Sequence, residues 1–249
     1  TGLRFTEGIT FDFTDGAITS LAVGQRVLVV QSREAIQPRY GPALPVAGQY
    51  AGKLSNNGET IKLVDKDGVT IVEFAYRDAD PWPARTDGAG ASLELIDPAA
   101  VPASASERTD YLQDPAHWRS SSEYGGSPGY AGAGPRQSVV INEVLSRTDP
   151  PQKDAIELMN PTDSPIDLGG WYLSDSSIEY QKYRIPPNTV IAPGGYRVFD
   201  EDNFNPNPQS PGPNDFALNG PRGDSVWLLE ADASGKLTYF VDHVEFGSA

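Results

Sequence analysis

The sequence predicts an all-β chain built as two tandem β-sandwich domains, and three observations carry that expectation. Short runs rich in Val, Ile, Phe and Tyr recur at intervals of about 8–12 residues. Turn signals separate the runs: Asn57-Gly58, Asp67-Gly68, Pro193-Gly194-Gly195, Asn219-Gly220 and Ser234-Gly235. A stretch of Ser, Gly, Pro, Ala and Tyr, residues 120–135 (SSSEYGGSPGYAGAGP), interrupts the pattern near mid-chain and reads as a linker, since it cannot bury a core. With 249 residues, the chain divides into two ordinary domains, residues 1–134 and 135–249.

The strands follow in order at residues 26–30 (RVLVV), 60–64 (TIKLV), 70–74 (TIVEF), 138–144 (SVVINEV), 155–159 (AIELM), 195–199 (GYRVF) and 225–229 (SVWLL). Several alternate apolar with polar residues, as strands with one buried face do. Residues 33–40 (REAIQPRY) have room for one helical turn. No longer run carries a helical period, so crossover helices are not expected and a sandwich is favoured over a parallel sheet.

Composition excludes several function classes. The formal charge is −15 and the 19 Lys and Arg residues are scattered, which argues against nucleic-acid binding. Without cysteine there is no disulfide, no thiolate nucleophile and no Cys-based zinc site. No run approaches the roughly 18 consecutive apolar residues of a membrane span. The first residues read as strand and lack the features of a signal peptide, which suggests a mature chain or a fragment.

An internal repeat is the most informative pattern. Residues 2–6 (GLRFT) echo 170–174 (GWYLS), and 18–29 (ITSLAVGQRVLV) echo 190–199 (VIAPGGYRVF). Residues 54–63 (LSNNGETIKL) echo 218–228 (LNGPRGDSVWL). A hairpin follows each, at 65–68 (DKDG) or 233–236 (ASGK), and then a returning strand that ends in Glu73-Phe74 or Glu245-Phe246. Such agreement in order and spacing marks duplicated units.

Residues 140–144 (VINEV), 154–161 (DAIELMNP) and 166–175 (IDLGGWYLSD) resemble the opening of a bacterial lamin-tail domain. The family pattern has an INE strand, an IELYN strand and a DLSGW turn, and Met159 here replaces its common Tyr. Residues 218–226 match the family's LNNxGDxV-like hairpin, and the first copy is similar to the second half of the family through 54–63 and its later PWP, SLEL and HWRSS segments. The resemblance implies immunoglobulin-like sandwiches and a non-catalytic accessory module of a larger exported or cell-surface bacterial protein. Such a module acts as a spacer or as a docking surface for protein or polysaccharide, beside other domains of its parent chain. Copy one lacks the INE and IELMN strands and copy two lacks counterparts of PWP, SLEL and HWRSS. Both ends are therefore expected to be cut within a domain, or to complete each other in a strand-exchanged dimer.

In the family motif, Asn142 and Glu143 are expected to pair with exposed backbone at the sandwich edge, and Glu157 lies in the IEL strand. Gly170 and its neighbour Gly169 permit a tight turn, and Trp171 is a natural inter-sheet core residue. Asp200, Glu201 and Asp202 open a long Asn/Pro-rich loop, and carboxylates in such a loop suit calcium, which takes six to eight oxygens. Trp82, Trp118 and Tyr124 are candidates for an aromatic sugar-binding face, although the favoured reading is that the two tryptophans pin loops to the core. His117 and His243 stand near no nucleophile motif, and residues 48–53 (GQYAGK) miss the P-loop spacing. Arg222-Gly223-Asp224 is read as part of the repeated hairpin, and no cofactor beyond calcium is indicated.

Overall fold

The structure, a computed structural model, describes residues 2–136 and 138–248. The regular structure of the described chain is mostly β-strand, arranged in several antiparallel sheets with few helices. It divides into two compact units. Unit 1 comprises the chain up to Asp87 with Ala91–Ser121 and Gly125–Gly132; unit 2 comprises Gly88–Gly90, Ser122–Tyr124 and the chain from Ala133 onward. The Ser/Gly/Pro stretch is thus shared between the two units.

Unit 1 contains β1 (Arg4–Glu7), β2 (Ile9–Asp12), β3 (Leu28–Val30), α1 (Arg33–Tyr40), β4 (Val46–Gln49), β5 (Ala51–Gly52), β6 (Glu59–Val64), β7 (Thr70–Tyr76), β8 (Leu93–Leu95), α2 (Ala105–Gln113) and β9 (Trp118–Ser120). Its main sheet runs β5-β2-β1-β6-β7 and is antiparallel throughout. The β6–β7 hairpin closes on Asp65, whose carboxylate accepts the N–H groups of Asp67 at 2.9 Å and Val69 at 2.8 Å. At its other end the Tyr76 hydroxyl donates to Ser55 O at 2.7 Å and Glu59 Oε1 at 3.1 Å. Burial first, and then the Glu59 carboxylate, push that phenol up to about 12.

Two helices depart from the sequence expectation. α1 is a full eight-residue helix, capped by the Ser32 side chain at its start and by Gly41, at φ 84°, at its end. It joins β3 to β4, which pair in parallel, so unit 1 does hold one crossover helix. Val30, Leu44 and Val46 form the core beneath it, with Leu28, Ile36 and Tyr40 packed against them. The other helix, α2, shows no apolar stripe because only Leu112 is buried. It is held instead by Arg108, whose guanidinium donates to the carbonyls of Pro102, Ala103 and, in β7, Ile71.

Unit 2 contains β10 (Val140–Leu145), β11 (Ala155–Met159), β12 (Ile166–Asp167), β13 (Tyr172–Ser174), β14 (Tyr183–Arg184), β15 (Val190–Ile191), β16 (Tyr196–Asp200), α3 (Glu201–Phe204), β17 (Asp224–Ala231) and β18 (Leu237–Phe246). A three-stranded sheet, β10-β11-β16, and a four-stranded sheet, β14-β13-β17-β18, are its principal layers. One core joins residues of both: Ile156, Leu158 and Phe199 from the first, Leu173, Val226 and Leu228 from the second. Each is at most 2 % exposed, as the facing layers of a sandwich require.

Part of the strand pairing corresponds between the two units. The order β2-β1-β6-β7 in unit 1 parallels β14-β13-β17-β18 in unit 2. Phe5 pairs with Leu63 where Leu173 pairs with Leu228, and Arg4 with Val64 where Tyr172 pairs with Leu229. A bulge falls in the same place in both hairpins, between Leu63 and Val64 and between Leu228 and Leu229. The returning strands correspond two residues away from the sequence match: Tyr76, paired with Glu59, stands where Phe246 pairs with Asp224. The echo of 18–29 in 190–199 has no such parallel, because β3 joins a parallel pair whereas β16 joins β11 antiparallel.

Candidate functional site

The outward face of the three-stranded sheet of unit 2 is where exposed apolar side chains gather. β11 alternates strictly: Ile156 and Leu158 are buried, so Ala155, Glu157 and Met159 turn outward. Residues opposite one another share a face, which places Val140, Met159 and Tyr196 in one outward row and Glu143, Glu157 and Val198 in the next. Leu145, Ala155 and Asp200 complete a third. Tyr196 is 56 % exposed, Val198 51 % and Leu145 44 %. The face therefore presents large apolar groups around two carboxylates, an arrangement suited to contact with a partner surface.

The family-motif residues lie on or behind this face. A bulge between Ile141 and Glu143 leaves Asn142 unpaired, and its side-chain amide donates to Glu157 Oε1 at 2.8 Å. Asn142 thus ties the two strands through a side chain, not through edge backbone as the sequence suggested. The Ile141 N–H donates to Asp242 Oδ2 at 2.7 Å, linking β10 to β18. Gly170, at φ 89°, turns the chain, its N–H donating to Ile185 O at 2.9 Å, and Trp171 enters the core. Asn160, the last residue of the IELMN segment, is fully buried and makes four side-chain hydrogen bonds.

The two tryptophans of the candidate aromatic face are packed within unit 1. Trp82 is only 7 % exposed, and its ring lies 6.2 Å from that of Trp118, which in turn stacks on Phe74 at 5.2 Å. Trp118 also donates its indole N–H to Leu112 O at 2.8 Å, so both tryptophans pin loops to the core of unit 1. Tyr124 belongs to unit 2, in a separate cluster with Tyr180 and Phe240 at 6.1 and 5.7 Å. Nothing in the sequence flagged that cluster, since its members are far apart in the chain.

The acidic candidates have other partners. The Asp200 carboxylate caps α3, accepting from Asp202 N at 3.1 Å, while Asn203 Oδ1 accepts the Asp200 N–H at 3.0 Å. Asp202 pairs with the Lys153 ammonium, and that hydrogen bond raises the lysine above its ordinary value. Among the described residues no group of three or more His, Cys, Asp or Glu is arranged to hold a metal ion, so the calcium expectation gains no ligand set.

The remaining motifs are structural. The His117 ring stacks on Tyr111 at 3.6 Å and its Nδ1 meets Tyr111 O at 2.8 Å; His243 stacks on Trp227 at 4.5 Å. In the Arg222-Gly223-Asp224 tripeptide, the Asp224 carboxylate accepts the N–H groups of Asn219 and Ser225, each at 2.8 Å. Gly48 of the P-loop-like segment sits against Phe11, whose ring would lie 2.5 Å from any added Cβ. Among the described residues no helix is long and apolar enough to cross a membrane.

No curated protein matches the chain. Residues 133–248 match the family model described as Lamin Tail Domain, an immunoglobulin-like family without enzymatic activity, and the two-layered sandwich of unit 2 is similar to that fold.

Proposed function

We propose that the chain is a non-catalytic, lamin-tail-like accessory module of a larger exported or cell-surface protein, with the outward face of β10-β11-β16 as its docking surface. The observation that carries this reading is the exposure of Leu145, Tyr196 and Val198 around the Glu143 and Glu157 carboxylates. Apolar side chains with two acids between them suit a protein partner that is apolar and basic, more than a hydroxyl-rich polysaccharide. The histidines and tryptophans considered for chemistry or sugar binding are engaged in stacking and packing instead, which supports a docking role over a catalytic one.

The chain's one methionine, Met159, lies on this face and supplies a single reporter. Isotope labelling of its methyl group gives one resonance, which should move when a strand-forming peptide of alternating Leu and Lys is added and stay fixed with the Leu/Glu counterpart. A Val198→Ser, Tyr196→Ser double substitution should weaken the Leu/Lys response at least tenfold. Equal responses to both peptides, or an unchanged response in the variant, would overturn the proposal.

A further inference from the structure

The edge strand of the four-stranded sheet, β18, carries a short segment from elsewhere in the chain. Unit 2 is not built from one continuous stretch: Ser122–Tyr124 belongs to it without being continuous with its main segment. Those residues lie along β18 as an added strand. Tyr124 N donates to Thr238 O at 2.9 Å, Phe240 N donates to Ser122 O at 2.8 Å, and Glu123 bridges antiparallel to Tyr239 between them. The Tyr124 ring then settles against Phe240 at 5.7 Å and Tyr180 at 6.1 Å. Tyr180 is 2 % exposed, and its hydroxyl donates to Ala89 O at 2.9 Å. Gly90 completes the seat, since a Cβ there would stand 2.4 Å from the Tyr124 ring.

We infer that the β18 edge and this aromatic seat form an acceptor site for an extended, tyrosine-bearing peptide, occupied in this chain by its own Ser122–Tyr124. The geometry has the two parts of strand-addition recognition. Main-chain hydrogen bonds at Thr238 and Phe240 hold any extended backbone, and the seat of Gly90, Tyr180 and Phe240 selects the aromatic side chain. Ser122–Tyr124 meets β18 and the seat through two backbone hydrogen bonds, the Glu123–Tyr239 bridge and the Tyr124 ring. It prevails in the intact chain because the tether holds the segment at an effective concentration on the order of millimolar. A peptide of the same pattern in another molecule meets the same site once the tethered segment is displaced.

The test uses the full chain and a fluorescent peptide copying residues 119–126 (RSSSEYGG). Tyr124→Pro removes both the donated N–H and the ring, and that variant should bind the peptide at least tenfold more tightly than the unaltered chain does. A peptide with Ala in place of its tyrosine should bind neither. Hydrogen exchange at the Phe240 amide supplies the second reading: protected in the unaltered chain, exposed in the variant, protected again with peptide. Equal peptide affinity for the two chains, or a Phe240 amide whose protection ignores both substitution and peptide, would overturn the assignment. Should Tyr124→Pro lose the native Met159 resonance, Tyr124→Ala decides the question, because it empties the seat and leaves Gly90 and the backbone hydrogen bonds unchanged. With Tyr124→Ala, gain of peptide binding supports the site, and an affinity no higher than that of the unaltered chain refutes it.

Discussion

Replacing Asn160 by alanine should remove one of the largest polar contributions to unit 2. The side chain is fully buried, and its Nδ2 donates to Ser164 O at 2.8 Å and Ile191 O at 3.1 Å. Its Oδ1 accepts from Thr162 N at 2.9 Å and Thr162 Oγ1 at 2.7 Å. The two turns that it fastens, after β11 and after β15, also close on its backbone through Gly194 and Gly195. Each intramolecular hydrogen bond contributes about 1 kcal/mol net, which gives ~4 kcal/mol for the four. Water can reach the Thr162 and Ser164 partners once the amide is gone, whereas Ile191 O stays buried, so we expect a loss of about 3 kcal/mol. Asn160→Asp should be as damaging at neutral pH, because a carboxylate would then face two carbonyl oxygens. Denaturant titration followed at the Met159 methyl resonance reads unit 2 alone. A loss below about 1 kcal/mol for Asn160→Ala would refute the reasoning.

Further expectations concern the other residues singled out. Trp82→Ala should destabilise unit 1 by about 3 kcal/mol or more, as loss of a buried tryptophan does, and thermal unfolding with tryptophan fluorescence measures it. Asp200→Ala should lower stability by about 1 kcal/mol through loss of the α3 cap, and the melting temperature should be the same in calcium and in a chelator. A calcium-dependent rise that Asp200→Ala abolishes would restore the metal reading. The folded-state pKa of Tyr76 is raised above its unfolded value of 10.0 to about 12, so its contribution is complete below pH 10 and is lost as pH climbs towards 12. Tyr76→Phe should flatten that alkaline decline, which denaturant titrations between pH 9 and about 12 follow.

Much of the sandwich was legible because strands announce themselves locally. The AIELM strand begins and ends where its alternation says it should, with Ile156 and Leu158 inward. The lamin-tail motif likewise marked Trp171 for the core, since the Gly-Gly turn before it admits few other geometries. What the sequence hid was held by contacts that have no period. α2 shows no amphipathic pattern because Arg108 anchors it through backbone carbonyls, and α1 has no buried residue at all. For Trp82 and Trp118 the sequence favours pins that hold loops to the core, but their partners, Phe74 and each other, have no signature in it. The outward face was equally hidden: Tyr196 and Val198 fit a core-facing pattern, and only the register of β16 on β11 turns them to solvent. The Ser122–Tyr124 segment reads as linker because its strand partner, β18, lies more than a hundred residues further on.

The docking role is tested most directly by photo-crosslinking from the face itself. A photoreactive amino acid at Val198 reports partners of the sheet face, and the same group at Ile178, which is 72 % exposed in the same unit, serves as control. Irradiation on the surface of producing cells should give a discrete crosslinked product from position 198 that the Tyr196→Ser background suppresses, with none from position 178. Equal crosslinking from both positions, or none from 198, would contradict the assignment of this face as the surface through which the module works.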